Sequence, residues 1–272
     1  MSIETESSRR PRALTIAGSD SGGGAGIQAD LKTFAALGVY GASAITAITA
    51  QNTVGVRAIH EVPVDVISAQ IDAVLEDIGA DAAKTGMLSS VAIIEVVADR
   101  LRHHAVRNLV VDPVMVAKSG DRLLREDAVS VLRSVLLPLA AVVTPNAPEA
   151  SVLSGVEVVD APSAREAARR IADLGPRMVI VKGGHLEGDR SEDLVWDGER
   201  FDVLSGRRIA TRHTHGTGCT FSAAIAASLA RGAAPLEAAR DARAYLQGAI
   251  EHAEPLGAGH GPVNHLWRQS NV

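Results

Sequence analysis

Near its amino end the chain reads Ala13-Leu14-Thr15-Ile16-Ala17 and then Gly18-Ser19-Asp20-Ser21-Gly22-Gly23-Gly24-Ala25-Gly26, after which apolar residues recur at helical spacing over residues 28–37. This order predicts a buried strand, a glycine-rich loop and an amphipathic helix. Similar β-branched runs lie at residues 108–112, 141–144 and 178–182, and further helical patterns at residues 64–77, 91–101, 164–174 and 219–231. Such alternation predicts right-handed crossovers and an α/β fold with a parallel sheet covered by helices.

Two segments, residues 39–50 and 194–209, are more β-like than helical. They are expected to supply an added strand pair or a flap over one edge of the sheet. No Gly-, Ser- or Pro-rich stretch is long enough for a linker, and no repeat recurs at a fixed spacing. We therefore expect a flexible segment over residues 1–12 and a single domain over residues 13–272.

Composition narrows the classes of function. The 272 residues are 46% hydrophobic and 22% charged, which is typical of a globular protein with a sizeable core. The net charge is −5 and no basic run interleaves with aromatic residues, which argues against nucleic-acid and membrane surfaces. Cys219 is the single cysteine, and the start of the chain lacks an apolar leader, so a reducing, cytoplasmic location is expected.

The glycine-rich loop allows two interpretations. Residues 24–29 formally match the dinucleotide fingerprint, but no acidic residue lies between Asp30 and Glu61, where the ribose-binding acid would be required. A nicotinamide-dependent oxidoreductase is therefore the weakest enzyme hypothesis. Ligand binding by the loop and a tight turn that serves only helix packing both remain open.

A second candidate segment, Thr214-His215-Gly216-Thr217-Gly218-Cys219, opens the helix predicted near the carboxyl end. Free amides and the helix dipole make such a start a cradle for anions. In that field the pKa of the Cys219 thiol is expected to be lowered, so that the thiolate could accept a proton. The alternative is a small buried residue that packs the first helical turn.

Other candidates follow the predicted strands. Asp112 ends one strand, Lys182 ends another and is followed by two glycines, and Asn146 and Glu149 follow a third. Asn146 and Glu149 could bind hydrated magnesium or simply cap a helix. No Walker A pattern is present. Because the carboxyl ends of parallel strands meet at one edge, these groups together predict a site for phosphoryl transfer.

The chain resembles the hydroxymethylpyrimidine and phosphomethylpyrimidine kinases of thiamin synthesis, which belong to the ribokinase-like superfamily. The resemblance spans residue 13 to nearly the carboxyl end. Its blocks are residues 17–20, 25–33, 49–53, 84–88, 144–146, 182–185 and 215–219. It implies a three-layer fold with a central, mostly parallel sheet, and ATP-dependent, Mg²⁺-requiring phosphorylation of 4-amino-5-hydroxymethyl-2-methylpyrimidine and of its monophosphate. It also implies a homodimer, as is frequent in the family.

The resemblance also implies residue roles. The pyrimidine would be surrounded by Gly18, Asp20, Ala25, Asp30, Gln51, Met87 and Val114. Gly216, Thr217 and Gly218 would form the anion hole and Cys219 would be the general base. ATP would contact Asp112, Lys182 and Thr217, and magnesium would lie near Asn146, Glu149 and Asp112. The amide of Gln51 suits an amine beside a ring nitrogen, since it offers both a donor and an acceptor.

Two departures from the family pattern are visible. The family commonly has Asp-Pro-Ser where this chain has Asp20-Ser21-Gly22, and the superfamily commonly has aspartate at the position of Cys219. The alternatives are a pyridoxal or pyridoxine kinase and a non-catalytic pyrimidine-binding regulator. Gln51 and Met87 favour the pyrimidine, and residues 216–219 favour catalysis.

Overall fold

The computed structural model describes residues 9–116, 120, 123–183 and 190–269. One nine-stranded sheet runs through this part of the chain. Its strands are β1 (Arg12–Asp20), β2 (Tyr40–Gln51), β3 (Val56–Glu61), β4 (Ala82–Thr85), β5 (Leu109–Val111), β6 (Val142–Val143), β7 (Met178–Val181), β8 (Arg190–Trp196) and β9 (Phe201–Arg207). The helices are α1 (Gly26–Ala36), α2 (Val64–Ala73), α3 (Val91–His103), α4 (Ala128–Val131), α5 (Ala147–Ser154), α6 (Ala161–Ala172), α7 (Thr217–Ala230) and α8 (Pro235–Glu251).

The spatial order of the strands is β3-β2-β1-β4-β5-β6-β7-β8-β9. The six strands from β2 to β7 in this order are parallel, while β3, β8 and β9 are antiparallel additions. The predicted α/β class with a mostly parallel sheet is thus confirmed. The two β-like segments lie towards opposite ends of this sheet, whereas one edge was expected. Residues 39–50 contain all of β2 except Gln51, and residues 194–209 contain most of the β8–β9 hairpin.

Helices cover both faces of the sheet, which gives the predicted three layers. On one face, Ile71 of α2 and Ile94 of α3 belong to a core that continues through α4, α5 and α6. On the other face, Phe34 of α1, Phe221 of α7 and Tyr245 of α8 form a second core. The strands contribute alternate residues to the two cores, as expected for a pleated sheet buried on both sides.

The first strand begins inside the segment that was predicted to be flexible. Arg12 is the first residue of β1, and its backbone N–H donates to Asp81 Oδ2 at 2.9 Å. Arg9 also contacts Asp81, through an ion pair of 2.6 Å. Residues 1–8 lie outside the described part of the chain.

The topology brings the functional candidates to one edge. Asp20 ends β1, Asp112 follows β5, Asn146 follows β6 and Lys182 follows β7. These strands are parallel, so their carboxyl ends face the same side of the sheet. No helix in the described ranges combines the length and apolarity required of a membrane span.

Candidate active site

A cavity of about 690 Å³ opens at this edge of the sheet. Every residue that was predicted for the site, apart from Asp30, lines this one cavity. The group comprises Gly18, Asp20, Ala25, Gln51, Met87, Asp112, Val114, Asn146, Glu149, Lys182, Gly216, Thr217, Gly218 and Cys219. Of the predicted block at residues 182–185, Gly184 and His185 lie outside the described residues.

Asp20 anchors the glycine-rich loop. Its carboxylate accepts hydrogen bonds from the backbone N–H groups of Gly22 at 2.8 Å, Gly24 at 3.1 Å and Ala25 at 2.8 Å. His215 Nε2 lies 2.9 Å from the same carboxylate. Burial opposes ionisation of Asp20, but the bonds from His215, Ala25 and Gly22 hold its pKa below the usual value. Asp20 therefore fixes the shape of the loop, in addition to lining the cavity.

The segment predicted to form an anion hole lies where two loops approach each other closely. Gly216 precedes α7 with φ of 80°, a left-handed conformation that favours glycine. A Cβ atom at Gly216 would also collide with the carbonyl oxygen of Gly24. Gly216, Thr217 and Gly218 at the start of α7 line the cavity, and the free amides and dipole of a helix start favour an anion there.

Cys219 occupies the first turn of α7 and lines the cavity. The expected lowering of its pKa is wrong. Burial raises the pKa of the thiol to about 11, and the opposing charge of Lys84 and a backbone hydrogen bond from Gly26 do not overcome it. At neutral pH Cys219 is therefore mainly a thiol, because the desolvation of the anion outweighs the field at the helix start.

Asp112 and Lys182 form the charged wall of the cavity. Lys182 Nζ lies 2.9 Å from Asp112 Oδ1 and 4.0 Å from Glu149 Oε2. Although burial opposes ionisation of Asp112, Lys182 and then Lys84 hold the pKa of this carboxyl below its usual value. The hydroxyl of Thr144 also donates to Asp112 Oδ1 at 3.1 Å. The pair keeps a carboxylate and an ammonium beside the place where phosphates would lie.

Asn146 and Glu149 cap α5, so the capping interpretation is confirmed. The Glu149 N–H donates to Asn146 Oδ1 at 2.9 Å, and Glu149 Oε2 accepts from the Asn146 N–H at 2.8 Å. Both residues nevertheless line the cavity. Burial raises the pKa of Glu149 to about 7, which Lys182 opposes. Among the described residues, no group of three or more His, Cys, Asp and Glu side chains is arranged to hold a metal ion.

Asp30, which was expected to lie at the pyrimidine, does not line the cavity. Asp30 is fully buried behind the cavity wall, where it pairs with Lys84 and accepts a hydrogen bond from Thr15 Oγ1 at 2.6 Å. Lys84, and not Asp30, lines the cavity. The reason is the position of Asp30 in α1, one turn after Gly26, where the helix packs against β1.

At the predicted substrate end, the thioether of Met87 and the amide of Gln51 line the cavity near Asp20 and His215. Met87 packs against Gly18 so closely that a Cβ atom there would lie 2.7 Å from Met87 Cε. Gln51 ends β2, and its Oε1 accepts from Thr49 Oγ1 at 3.2 Å. The Gln51 Nε2 atom lies 3.5 Å from His215 Nε2, but that ring nitrogen donates to Asp20, so the amide N–H groups are not bonded to it. The amide can thus turn one edge towards a bound ring.

Several lining residues were not assigned from the sequence: His215, Lys84, Asp193 and Arg243. His215 and Lys84 belong to quoted motifs, but nothing in the motifs showed which way their side chains point. Asp193 Oδ1 accepts from the Gly183 N–H at 2.9 Å, and Arg243 Nη2 donates to the Ser191 carbonyl at 2.8 Å. Arg243 lies on α8, a helix that the sequence pattern had not predicted.

Comparison with known proteins gives a consistent result. The family model described as phosphomethylpyrimidine kinase matches residues 20–264. A hydroxymethylpyrimidine/phosphomethylpyrimidine kinase of Rhizobium meliloti is 56% identical over 260 residues, which are 94% of this chain and 97% of that protein. The thiamine biosynthesis bifunctional protein ThiED of Geobacter sulfurreducens is 53% identical over 97% of this chain, and the chain spans 54% of its length.

A solved structure shows the same architecture. The ADP complex of Bacillus subtilis pyridoxal kinase superposes with a TM-score of 0.90 at 43% sequence identity, covering 97% of this chain and all of the other. The chain is thus similar in sequence to hydroxymethylpyrimidine/phosphomethylpyrimidine kinases and in structure to a pyridoxal kinase.

Proposed function

The chain belongs to the phosphomethylpyrimidine kinase family, and from this membership we propose that it transfers the γ-phosphoryl group of ATP to 4-amino-5-hydroxymethyl-2-methylpyrimidine and then to the resulting monophosphate. The observation that carries the proposal is the shared cavity. An amide and a thioether, from Gln51 and Met87, line the same cavity as the anion cradle of Gly216–Cys219. An acceptor ring and a phosphoryl group can therefore be held together, which lowers the entropic cost of the reaction.

In this proposal, each group of residues at the cavity has its own role in phosphoryl transfer. The Gly216, Thr217 and Gly218 amides stabilise charge on the transferred phosphoryl group, because they are fixed before the reaction begins. Lys182 neutralises further phosphate charge and is itself held by Asp112. Cys219 accepts the proton of the acceptor hydroxyl. The transition state of phosphoryl transfer is loose, so the acceptor hydroxyl loses its proton late in the reaction. A small fraction of Cys219 in the thiolate form is therefore sufficient to accept that proton.

Mg²⁺ is part of the proposal. The donor set fits: Asp112 and Glu149 are carboxylates at the cavity wall, and Asn146 adds an amide oxygen nearby. Magnesium commonly takes one or two carboxylates and completes its shell with water and phosphate oxygens. When bound, the ion would neutralise charge on the phosphates. Lys182 already balances Asp112, so these residues would hold Mg²⁺ mainly with the help of the nucleotide.

A pyridoxal kinase activity is the second candidate, because the structure superposes closely on the pyridoxal kinase named above. The two rings share a hydroxymethyl acceptor but differ at the edge that Gln51 would contact. We propose the pyrimidine as the main substrate, since the relatives with higher identity over the chain bear that name. We also propose a homodimer and a cytoplasmic location, as expected from the sequence.

The deciding experiment is a coupled ADP-release assay that offers the hydroxymethylpyrimidine, its monophosphate and pyridoxal in parallel, each with Mg²⁺ or with EDTA. We expect ADP only with Mg²⁺ and faster with both pyrimidines than with pyridoxal. Faster turnover of pyridoxal would support the second candidate. Tight pyrimidine binding without ADP would support the non-catalytic regulator.

A further inference from the structure

Asp30 and Lys84 form an ion pair in which neither side chain is exposed. Lys84 Nζ lies 3.0 and 2.9 Å from the two carboxylate oxygens of Asp30, and Thr15 Oγ1 supports the carboxylate from the neighbouring strand. Apolar residues at such positions are often as stabilising as a buried ion pair, because both charges must lose their hydration. The pair thus has no evident advantage for folding alone.

The pair is oriented with its positive end towards the cavity. Lys84 lines the cavity, whereas Asp30 lies behind it. An ammonium group has three N–H donors. Within the described part of the chain, the hydrogen bonds found for Lys84 Nζ go to the two oxygens of Asp30. Asp30 thus takes up at most two of the three donors of this buried ammonium.

Cys219 lines the same cavity as Lys84, and its helix, α7, packs against both α1 and β4. The backbone N–H of Gly26, the first residue of α1, bonds to the thiol, and Asp30 follows four residues later on the same face of the helix. The first turn of α1 thus contacts Cys219 through Gly26, and the next turn carries Asp30, the partner of Lys84. For the pKa of Cys219, the lowering effect of the Lys84 charge exceeds the raising effect of the Asp30 charge.

The charges around Cys219 come from four elements. Lys84 on β4 favours the thiolate, and Lys182 after β7 interacts with it in the same sense. Asp30 on α1 and Asp112 after β5 oppose the thiolate. Among the groups that act on the pKa of Cys219, Lys84 is the largest that lowers it.

We propose that Asp30 holds the Lys84 ammonium against the reacting end of the pocket, where its charge stabilises the Cys219 thiolate. The two residues are then positioning residues for the base of the proposed reaction, on which this inference rests. The sequence resemblance places Asp30 at the substrate; the structure instead makes it act through Lys84.

The test uses the fact that the chain has a single cysteine. Alkylation by iodoacetamide forms an S–C bond as the C–I bond breaks and iodide leaves, so its rate reports the thiolate of Cys219 alone. The reagent is neutral, and loss of a lysine does not change its attraction to the site. In the double variant Lys84→Gln/Asp30→Asn, two amides replace the pair without stranding a charge. Loss of Asp30 partly offsets loss of Lys84, so we expect alkylation at pH 8 to be about threefold slower, the effect of a net rise of about half a unit in the thiol pKa.

A second double variant, Lys84→Met/Asp30→Leu, replaces the ion pair with apolar side chains. It is used for the alkylation test if the amide variant does not fold. Thr15→Val is the matched control, because it loosens the same buried cluster and leaves the Lys84 charge in place. The control should be alkylated at nearly the parental rate, with circular dichroism confirming the fold of each variant. Parental alkylation in a folded double variant would overturn the inference.

The same samples separate this inference from the proposed function. Slower alkylation together with a lower kcat and an unchanged pyrimidine dissociation constant supports both. Slower alkylation of a protein whose parent does not phosphorylate the pyrimidine would support the role of Lys84 and reject the proposed function. A lower kcat with unchanged alkylation would reject the role of Lys84 alone.

Discussion

His215 Nε2 lies 2.9 Å from Asp20 Oδ2, and the two residues are separated by 195 positions in the chain. One contact therefore ties the glycine-rich loop after β1 to the segment that opens α7. Because Asp20 also accepts three backbone hydrogen bonds within its own loop, the geometry of the loop is transmitted to the anion hole.

Replacing Asp20 tests this connection. Asp20→Asn places an NH₂ group among N–H donors, so we expect a loss of about 1–3 kcal/mol in the free energy of unfolding and a lower kcat. Asp160→Asn is the control, since Asp160 also accepts from a backbone N–H, that of Ser163, but does not line the cavity. It should lower stability and leave kcat unchanged. Urea unfolding measures the free energy of unfolding of both variants, and steady-state kinetics measure their kcat. A parental kcat in Asp20→Asn would contradict the prediction.

Acid sensitivity gives a second test of Asp20. Its pKa is lower in the folded protein than the ordinary 3.8. The stabilisation it provides is therefore complete above that value and is lost as the pH falls through the folded pKa. We expect the parent to lose more stability than Asp20→Asn between neutral pH and about pH 3. Parallel pH dependences of the two unfolding free energies would contradict this.

The raised pKa of Cys219 predicts an unusual pH–rate profile. With a thiol pKa of about 11, the thiolate fraction grows tenfold per pH unit across the neutral range. We expect kcat to rise with pH in the parent, and Cys219→Ala to lower kcat by roughly 10²–10⁴ with ATP binding nearly intact. Cys219→Asp should retain activity with a flatter profile, since a carboxylate is already ionised. If Cys219→Ala has the kcat of the parent, Cys219 is not the base and only packs the first turn of α7.

Glu149→Gln separates capping from metal binding. Glutamine retains the acceptor for the Asn146 N–H, so the thermal midpoint should change little. Removal of a carboxylate from a hard-cation site should raise the Mg²⁺ concentration needed for half-maximal activity. Titration of activity with MgCl₂ at fixed ATP measures this shift. Unchanged metal dependence with a lower midpoint would mean that Glu149 only caps α5.

Gln51 is expected to distinguish the two candidate rings. In Gln51→Leu, the amine and ring nitrogen of the pyrimidine would face a hydrocarbon side chain, at a cost of about 1–3 kcal/mol for each unpaired group. Pyridoxal lacks this amino edge and should lose less. The measurement is kcat/KM for both substrates in the parent and the variant. An equal fractional loss would show that Gln51 only shapes the pocket.

The sequence predicted most elements whose apolar pattern is strong, and it missed those whose pattern is weak. β4 is only Ala82–Thr85, and its one charged side chain, Lys84, conceals a buried strand. α8 was not predicted, although its amphipathic pattern is visible once its bounds are known. The edge placement of β3 and β9 depends on pairing between strands, which a local pattern does not encode.

At the site, the sequence identified residue types at strand ends correctly but not their surroundings. Fourteen of the predicted residues meet in one cavity, because parallel topology alone brings strand ends together. The direction of the Asp30 side chain and the net effect of burial on Cys219 depend on packing across α1, β4 and α7. Such effects appear only when the three elements are assembled.

Helix α7 also limits how early the protein can fold during its synthesis. Its residues from Thr220 to Leu229 are all buried, and the apolar ones belong to the second core, yet they lie late in the chain. During synthesis, the partners of α7 on α1 and the sheet emerge long before it and must remain exposed to water. Such surface is prone to aggregation, and parallel pairings over long sequence separations form slowly. We therefore expect release of the first 210 residues alone to give an insoluble product, because one face of the sheet would have no cover.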